Sequence, residues 1–476
     1  MARNAARNGF HSAPTGGGLR ALLLGGLVLS AGLLAGAGAQ GQTLVDALST
    51  TYSSNPTLSA ARAQLRATNE QVPQELSNWR PSVAVTTSAG VATSRSSTPT
   101  TRRAGEDDFE GTTPLSADLT VTQPLYRGGR TVAGTERAEN EVYAERARLA
   151  STEQQVLLNA VTAFMSVWAD EAVLRLNINN EQVLQRQLQA SQDRFEVGEI
   201  TRTDVAQSES RLSGATAQRV AAEGNLRASR AVYREVVGTA PGTLRPPGPL
   251  QGLPETSGET VASALVQNPD VVAASFSERA AERAVRQNIG ALLPSVNLVG
   301  ELTHTDETSI PDSSGDSGSL LAQLSLPIYQ QGFVSSQVRE AKQILSQRRL
   351  LVEEARRNAE QEAVDAFEAL ATARAQILAF QAQVDSAQIA LEGVRQENAV
   401  GARTVLDVLD AEQELLDAQV SLVGAQRDVI VAGFQVLAAQ GRLNAIELGL
   451  PVEVYNPELD YRAVRDKWFG LSAPGE

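Results

Sequence analysis

The chain has no cysteine. An exported protein without one carries no disulfide framework, and no cysteine is available for lipid attachment behind a signal cleavage. Histidine is almost as scarce, with only His11 and His304. Zinc sites, cysteine nucleophiles and histidine-based triads therefore have no material to work with. Aromatics make up 4% of the 476 residues, with three tryptophans and two methionines, which is too few for a large globular core. Basic residues are in deficit as well: a formal charge of −14 argues against a nucleic-acid partner, because phosphate contacts need clustered Lys and Arg.

Long apolar runs are also few. Ala21 to Leu34 is apolar, follows Arg3, Arg7 and Arg20, and precedes Ala37-Gly38-Ala39, the small residues a signal peptidase requires. The expectation is a signal peptide over residues 1–39, cleaved after Ala39, and an exported protein. That run is glycine-rich and shorter than the ~20 residues of a spanning helix. No other stretch approaches that length, so no helical membrane span is expected in the exported chain.

Alanine, glutamine, glutamate, leucine and arginine fill long stretches, the composition of extended helices packed through small residues. The chain also repeats itself. Asn55-Pro56 and Pro81-Ser82-Val83 recur as Asn268-Pro269 and Pro294-Ser295-Val296, 213 residues on. Pro124-Leu125-Tyr126, Val197-Gly198 and Asp204-Val205 recur as Pro327-Ile328-Tyr329, Val400-Gly401 and Asp407-Val408, 203 residues on. A duplication this long sets the organisation. Residues 40–238 form the first unit and 260–448 the second. Between them, 239–259 is an extended connector carrying Pro241, Pro246, Pro247, Pro249 and Pro254. The tail 449–476 reads as a strap whose Trp468-Phe469 pair packs against other elements.

Each unit has the same order. A helical segment (Thr43 to Trp79, Thr260 to Leu293) is broken near its start by the Asn-Pro, where proline suits a first helical turn. An alternating region follows, with hairpins over 82–126 and 295–329: Leu115, Ala117, Leu119 and Val121 alternate with Ser116, Asp118, Thr120 and Thr122, and Val296, Leu298, Gly300 and Leu302 oppose Asn297, Glu301 and Thr303. Such hairpins fit either a soluble sheet or a lipid-facing one, since strands in lipid give a weak signal per segment. The ten residues that separate the two registers fall in the first hairpin's loop.

A glycine-bearing bend then opens a long helix without proline, over 130–195 and 333–398; 66 residues at ~1.5 Å each make a rod of about 100 Å. The second rod carries a coiled-coil seam of Ala363, Ala366, Leu370, Ala373, Ile377, Phe380, Val384, Ala387, Leu391 and Val394. Its return helix continues the step from Leu406 and Leu409 through Gln413, Leu416, Val420, Val423, Arg427, Ile430, Phe434 and Leu437 to Gly441. In the first rod the seam Leu157, Val161, Phe164, Trp168 is short, which implies several neighbours.

Long helix and return helix meet at Val197-Gly198 and Val400-Gly401, where glycine ends one helix and Thr201 or Thr203, and Thr404, can cap the next. These paired Val-Gly and Asp-Val turns, the bends Gln123-Pro124-Leu125-Tyr126-Arg127-Gly128-Gly129 and Leu326-Pro327-Ile328-Tyr329-Gln330-Gln331-Gly332, and their duplicated order resemble the TolC family of outer-membrane efflux and secretion ducts. The resemblance covers Thr43 to about Leu443.

The resemblance implies a fold that is mainly α with a membrane β-barrel portion. It implies a homotrimer, four strands per chain closing one 12-stranded barrel, continued across the periplasm by a coiled-coil barrel. It implies an outer-membrane localisation and an exit-duct function in a tripartite efflux pump or type I secretion system. The expected partners are a periplasmic adaptor, an inner-membrane pump and outer-membrane lipid, with no cofactor, metal or catalytic residue. By the same resemblance Asp407 and Asp410, which share a helix face, line the pore constriction. Arg403 takes the place of a gate arginine with Thr203 and Asp204 as its partners on the neighbouring turn. Asn398 stands where the family's well-known form has a tyrosine; it keeps hydrogen-bonding capacity but loses the ring. A periplasmic coiled-coil scaffold without a pore is the competing reading. An acid/base hydrolase built on Asp407 and Asp410 fails, because an exposed helical turn provides no pocket in which to separate two carboxyl pKa values.

Overall fold

The computed structural model describes residues 41–95, 109–248, 250, 252–308 and 312–473, which belong to one compact unit, Gly41–Glu476. The expected signal segment and most of the first hairpin's loop lie outside the described residues.

The first unit begins with α1 (Leu44–Ser54), α2 (Pro56–Asn69) and α3 (Gln71–Leu76). Asn55 caps α2, its Oδ1 accepting from the Thr57 and Leu58 amides, with Pro56 in the first turn. Its Nδ2 donates to the Val236 carbonyl at 3.1 Å. Asn268 repeats both acts, accepting from Asp270 and donating to the Ala439 carbonyl at 3.4 Å. The repeated Asn-Pro is thus a corner that breaks the entry helix and ties it to the far end of its own unit's return helix.

The strands are β1 (Ser82–Ala89), β2 (Ala92–Arg95), β3 (Phe109–Thr112) and β4 (Leu115–Arg127), then β5 (Ser295–Asp306) and β6 (Ser314–Ser325) in the second unit. One antiparallel sheet runs β1-β4-β5-β6, and β2-β3 extend the first hairpin as a separate pair. The second hairpin's last strand stops at Ser325, and Pro327 to Tyr329 form a bend outside it. Register places Val83, Val121, Gly300 and Leu320 side by side, and Val85, Leu119, Leu302 and Gly318. The opposite face carries Thr86, Asp118, Thr303 and Ser317, and Ala84, Thr120, Glu301 and Ser319. One face is apolar and the other polar, while β1 and β6 are left as open edges.

The rods α4 (Arg130–Glu196) and α8 (Phe333–Ala399) return as α5 (Arg202–Val237) and α9 (Val405–Ala439). The second unit enters through α6 (Ser257–Gln267) and α7 (Pro269–Gly290). α6 starts at Ser257, three residues before the expected Thr260, so the connector is that much shorter than 239–259. It also packs inward: Leu244 is buried and Leu250 and Leu253 lean on the core. α4 is the central element, with α1, α2, α3, α5, α7 and α9 around it. Phe164, Tyr233, Leu48, Leu58 and Leu65 form the core there.

Two sequence expectations need correction. α4 and α9 each contain a window long and apolar enough to cross a membrane. More than half of the α4 window is buried within the chain, because alanines and valines that raise hydropathy are what let helices approach closely. The α9 seam also starts differently. Leu406 is exposed, whereas Val405, Val408, Leu409 and Glu412 face inward, because Glu412 can be covered by pairing with Arg395 of α8. Along α8 the seam stands: Ala363, Ala366, Leu370, Ala373, Val384, Ala387 and Leu391 are buried.

Candidate functional site

Both tip turns are glycine-terminated. Gly198 and Gly401 have φ of +82° and +81°, with nothing within 4 Å of an added Cβ, so glycine serves backbone conformation rather than space. In each turn the next amide reaches back into the helix: Glu199 to the Arg194 carbonyl and Ala402 to the Glu397 carbonyl, both at 2.9 Å. Thr201 and Thr404 cap the return helices, each accepting from an aspartate amide three residues on. The aspartates answer: Asp204 accepts from the Thr201 amide and hydroxyl, and Asp407 from those of Thr404 at 2.8 and 2.7 Å. These are reciprocal capping boxes. The two Thr404 hydrogen bonds, assisted by nearby Arg403, hold the Asp407 carboxyl below its ordinary value.

Within one chain the candidate latch divides. The Arg403 guanidinium pairs with Glu397 of its own turn at 2.8 Å and does not reach Thr203 or Asp204. Asp204 is occupied by its cap, and among the described residues the Thr203 side chain forms no hydrogen bond. Asp407 and Asp410 do not act as a matched pair either: Asp407 folds back on Thr404, while Asp410 forms an ion pair with Arg211 of α5. Asn398 bridges the two turns. Its Oδ1 accepts from Arg194 of α4 at 3.3 Å, and its Nδ2 donates to the Arg403 carbonyl at 2.8 Å.

Sequence reasoning missed Arg194 and Arg211. Both lie on the helical hairpin α4-α5 and face the hairpin α8-α9, and with the small cluster of Leu184, Leu212, Ala215, Val405 and Leu409 they join the two near the tip. Arg211 lies seven residues beyond Asp204, on the same face of α5. That spacing was the available signal.

No group of three or more His, Cys, Asp or Glu able to hold a metal ion occurs among the described residues. The arrangement at the tip is mechanical: there, at the end of long rods, the α4-α5 and α8-α9 hairpins meet through two polar links and a few apolar contacts.

The model of the family described as outer membrane efflux protein matches residues 47–239 and 260–442, one segment in each repeat. Among curated proteins, the outer membrane efflux protein BepC of Brucella suis biovar 1 (strain 1330) is 36% identical over 454 residues, 95% of this chain and 97% of that protein. The outer membrane protein TolC of Escherichia coli (strain K12) is 25% identical over 348 residues, 70% of each. Among solved structures, the Campylobacter jejuni CmeC outer membrane channel superposes with a TM-score of 0.75 at 16% identity, covering 89% of both chains.

Proposed function

The chain belongs to the outer membrane efflux protein family, and from that membership we propose that it works as a homotrimer whose three sheets close one twelve-stranded barrel. It is an outer-membrane exit duct, serving a tripartite efflux pump or a type I secretion system. The observation that carries the trimer is the sheet itself. Four strands with an apolar face, a polar face and two open edges cannot stand alone in lipid, where every backbone N–H and C=O needs a partner. Closure by three copies satisfies both edges and puts the polar face around a water-filled lumen.

The helices then extend the duct into the periplasm, with the Gly198 and Gly401 turns at its far end. A periplasmic adaptor and an inner-membrane pump are the partners of that end. The duct makes and breaks no bonds, and energy enters through the pump. Residues 1–39 are the signal that exports the chain. The links Arg194 to Asn398 and Arg211 to Asp410 hold the tip narrow at rest, and opening is a movement of one hairpin against the other. Across copies, Arg403 is free to meet Thr203 and Asp204 of the next chain once it leaves Glu397. A pore-free scaffold is set aside by the family membership.

The test is reconstitution of the purified full chain. The expected result is a trimer that dissociates only on heating in detergent and gives single-channel currents in planar bilayers. A monomer that stays in solution without detergent and passes no current overturns the proposal.

A further inference from the structure

Two of the chain's three tryptophans lie where it passes from helix into sheet. Trp79 comes just before β1, and its carbonyl accepts from Gln123 Nε2 of β4 at 2.8 Å. Trp468 belongs to the tail, yet it stands at the same level. The Arg80 guanidinium lies 4.9 Å from its ring centre and donates to the Lys467 carbonyl at 2.8 Å. Arg80 is two residues from Ser82, the first residue of β1. The tail after α10 (Pro457–Arg465) is therefore pinned to the base of the sheet.

The pinned segment is closed on itself with its apolar side outward. Lys467 Nζ donates to the carbonyl and hydroxyl of Ser472, and Gly470, with φ of +112°, makes the turn between them. Trp468, Phe469 and Leu471 project from this loop at 64, 90 and 103% exposure. The expectation that these aromatics pack is corrected: among the described residues only Trp468 finds a partner, the Arg80 guanidinium, on one face. A loop held shut by a lysine, presenting two aromatics and a leucine beside two cations, has the composition of a membrane interface rather than of a soluble surface. At the base of the same sheet Tyr126, Val296 and Leu324 lie side by side.

We propose that loop 467–472 is an interfacial anchor, seating Trp468, Phe469 and Leu471 at the headgroup-acyl boundary of the phospholipid leaflet that β1 enters. Arg80 and Lys467 face the lipid phosphates. The inference rests on the outer-membrane reading. In a chain without cysteine, and so without an acyl group on one, this loop fixes the depth at which helix gives way to barrel.

The absence of cysteine also provides the test. Leu471→Cys gives the full chain a single thiol at a fully exposed position, which is labelled with the polarity-sensitive fluorophore NBD. The trimer is reconstituted in phosphatidylethanolamine and phosphatidylglycerol vesicles, with or without headgroup-spin-labelled phosphatidylcholine. Val400→Cys at the tip is the control. The expected result is blue-shifted emission at position 471, most of it lost with spin-labelled lipid, and red, unquenched emission at position 400. Red emission at 471 in a conducting trimer overturns the anchor, as does blue emission indifferent to spin-labelled lipid, which would mean a protein cover. Failure of the labelled chain and of the parent alike to enter vesicles refutes the outer-membrane reading instead. Trp468, read in a Trp79→Phe, Trp168→Phe chain, repeats the measurement without a label.

Discussion

Replacing Arg211 by Gln should make the tip easier to open. Its guanidinium and the Asp410 carboxylate are 40 and 57% exposed, so the pair is worth about 0.5 kcal/mol rather than the several of a buried pair. Three copies in a symmetric trimer give about 1.5 kcal/mol if they open together, about tenfold in the open-to-closed ratio. The assay is open probability of single channels in planar bilayers at low salt. Arg211→Gln and Asp410→Asn should each raise it by about that factor, and the double variant should do no more than either, because one interaction is lost once. At about 1 M salt, where the Debye length is ~3 Å, variant and parent should converge. If Asp410 instead acted as part of a pore ring, Asp410→Asn alone would change cation selectivity and Arg211→Gln would not change gating. That outcome refutes the link, as does an effect of Arg211→Gln that high salt leaves undiminished.

Three further outcomes are expected. Gly128→Ala should cost more than Gly332→Ala in yield of heat-resistant trimer: both glycines have positive φ, worth ~1–2 kcal/mol of strain, but a Cβ at 128 would lie 2.3 Å from the Gly290 carbonyl whereas at 332 it meets nothing. Equal losses would show that the close approach at 128 is unimportant. The lowered pKa of Asp407 means that its cap contributes above the unfolded value near 3.8 and is lost only as pH falls through the lower folded value. From about pH 7 to about pH 5, open probability of the parent and of Asp407→Asn should therefore run in parallel, and a step seen only in the parent would count against the capped carboxylate. Burial pushes the Glu153 carboxyl up, although it accepts from the Ala445 amide at 2.8 Å. Its contribution is complete below the unfolded value near 4.5 and lost as pH rises through the folded one. Glu153→Gln keeps an acceptor for Ala445 without the charge and should melt higher at neutral pH, the gain vanishing in acid; a lower melting temperature at neutral pH would show that the charge, which Arg62 attracts, is needed.

The class of fold was legible because its signals are periodic and long. Alternation in Leu115 to Val121 and the step of three and four in Ala363 to Leu391 are each repeated often enough to survive single exceptions. The tip was less legible for a physical reason. Local motifs such as Thr404 with Asp407 can be read from spacing, since a capping box is made within four residues. Arg211 to Asp410 spans most of two hundred positions and depends on how two hairpins lie together, which no local pattern records. Leu406 was misplaced because periodicity alone treats Glu412 as an outward residue, whereas its pairing with Arg395 lets it turn in. Trp468 and Phe469 were expected to pack because aromatics usually do. A tail pinned to the base of a lipid-facing sheet gives them another solvent.

The two repeats differ most where their shared backbone path is loaded differently. In the first bend Gly128 is pressed against Gly290, and each would place a Cβ within 2.6 Å of the other's carbonyl. At the matching position of the second bend stands Gln331, also at positive φ, a strain that a longer side chain bears only where space is open. The first rod leaves the sheet through a tight contact and is then enclosed by neighbours. The second leaves it with room and is held mainly by α9, α7 and α6. A rod fixed along its length cannot be the one that swings. On the proposed opening movement the α8-α9 hairpin is therefore the expected moving wall, anchored where Ile430, Phe434 and Leu437 of α9 join the α4 core and restrained at the tip by the links to α4 and α5. Duplication supplied two like staves, and their unequal packing is what the Arg211→Gln and Asp410→Asn currents would read as frame and gate.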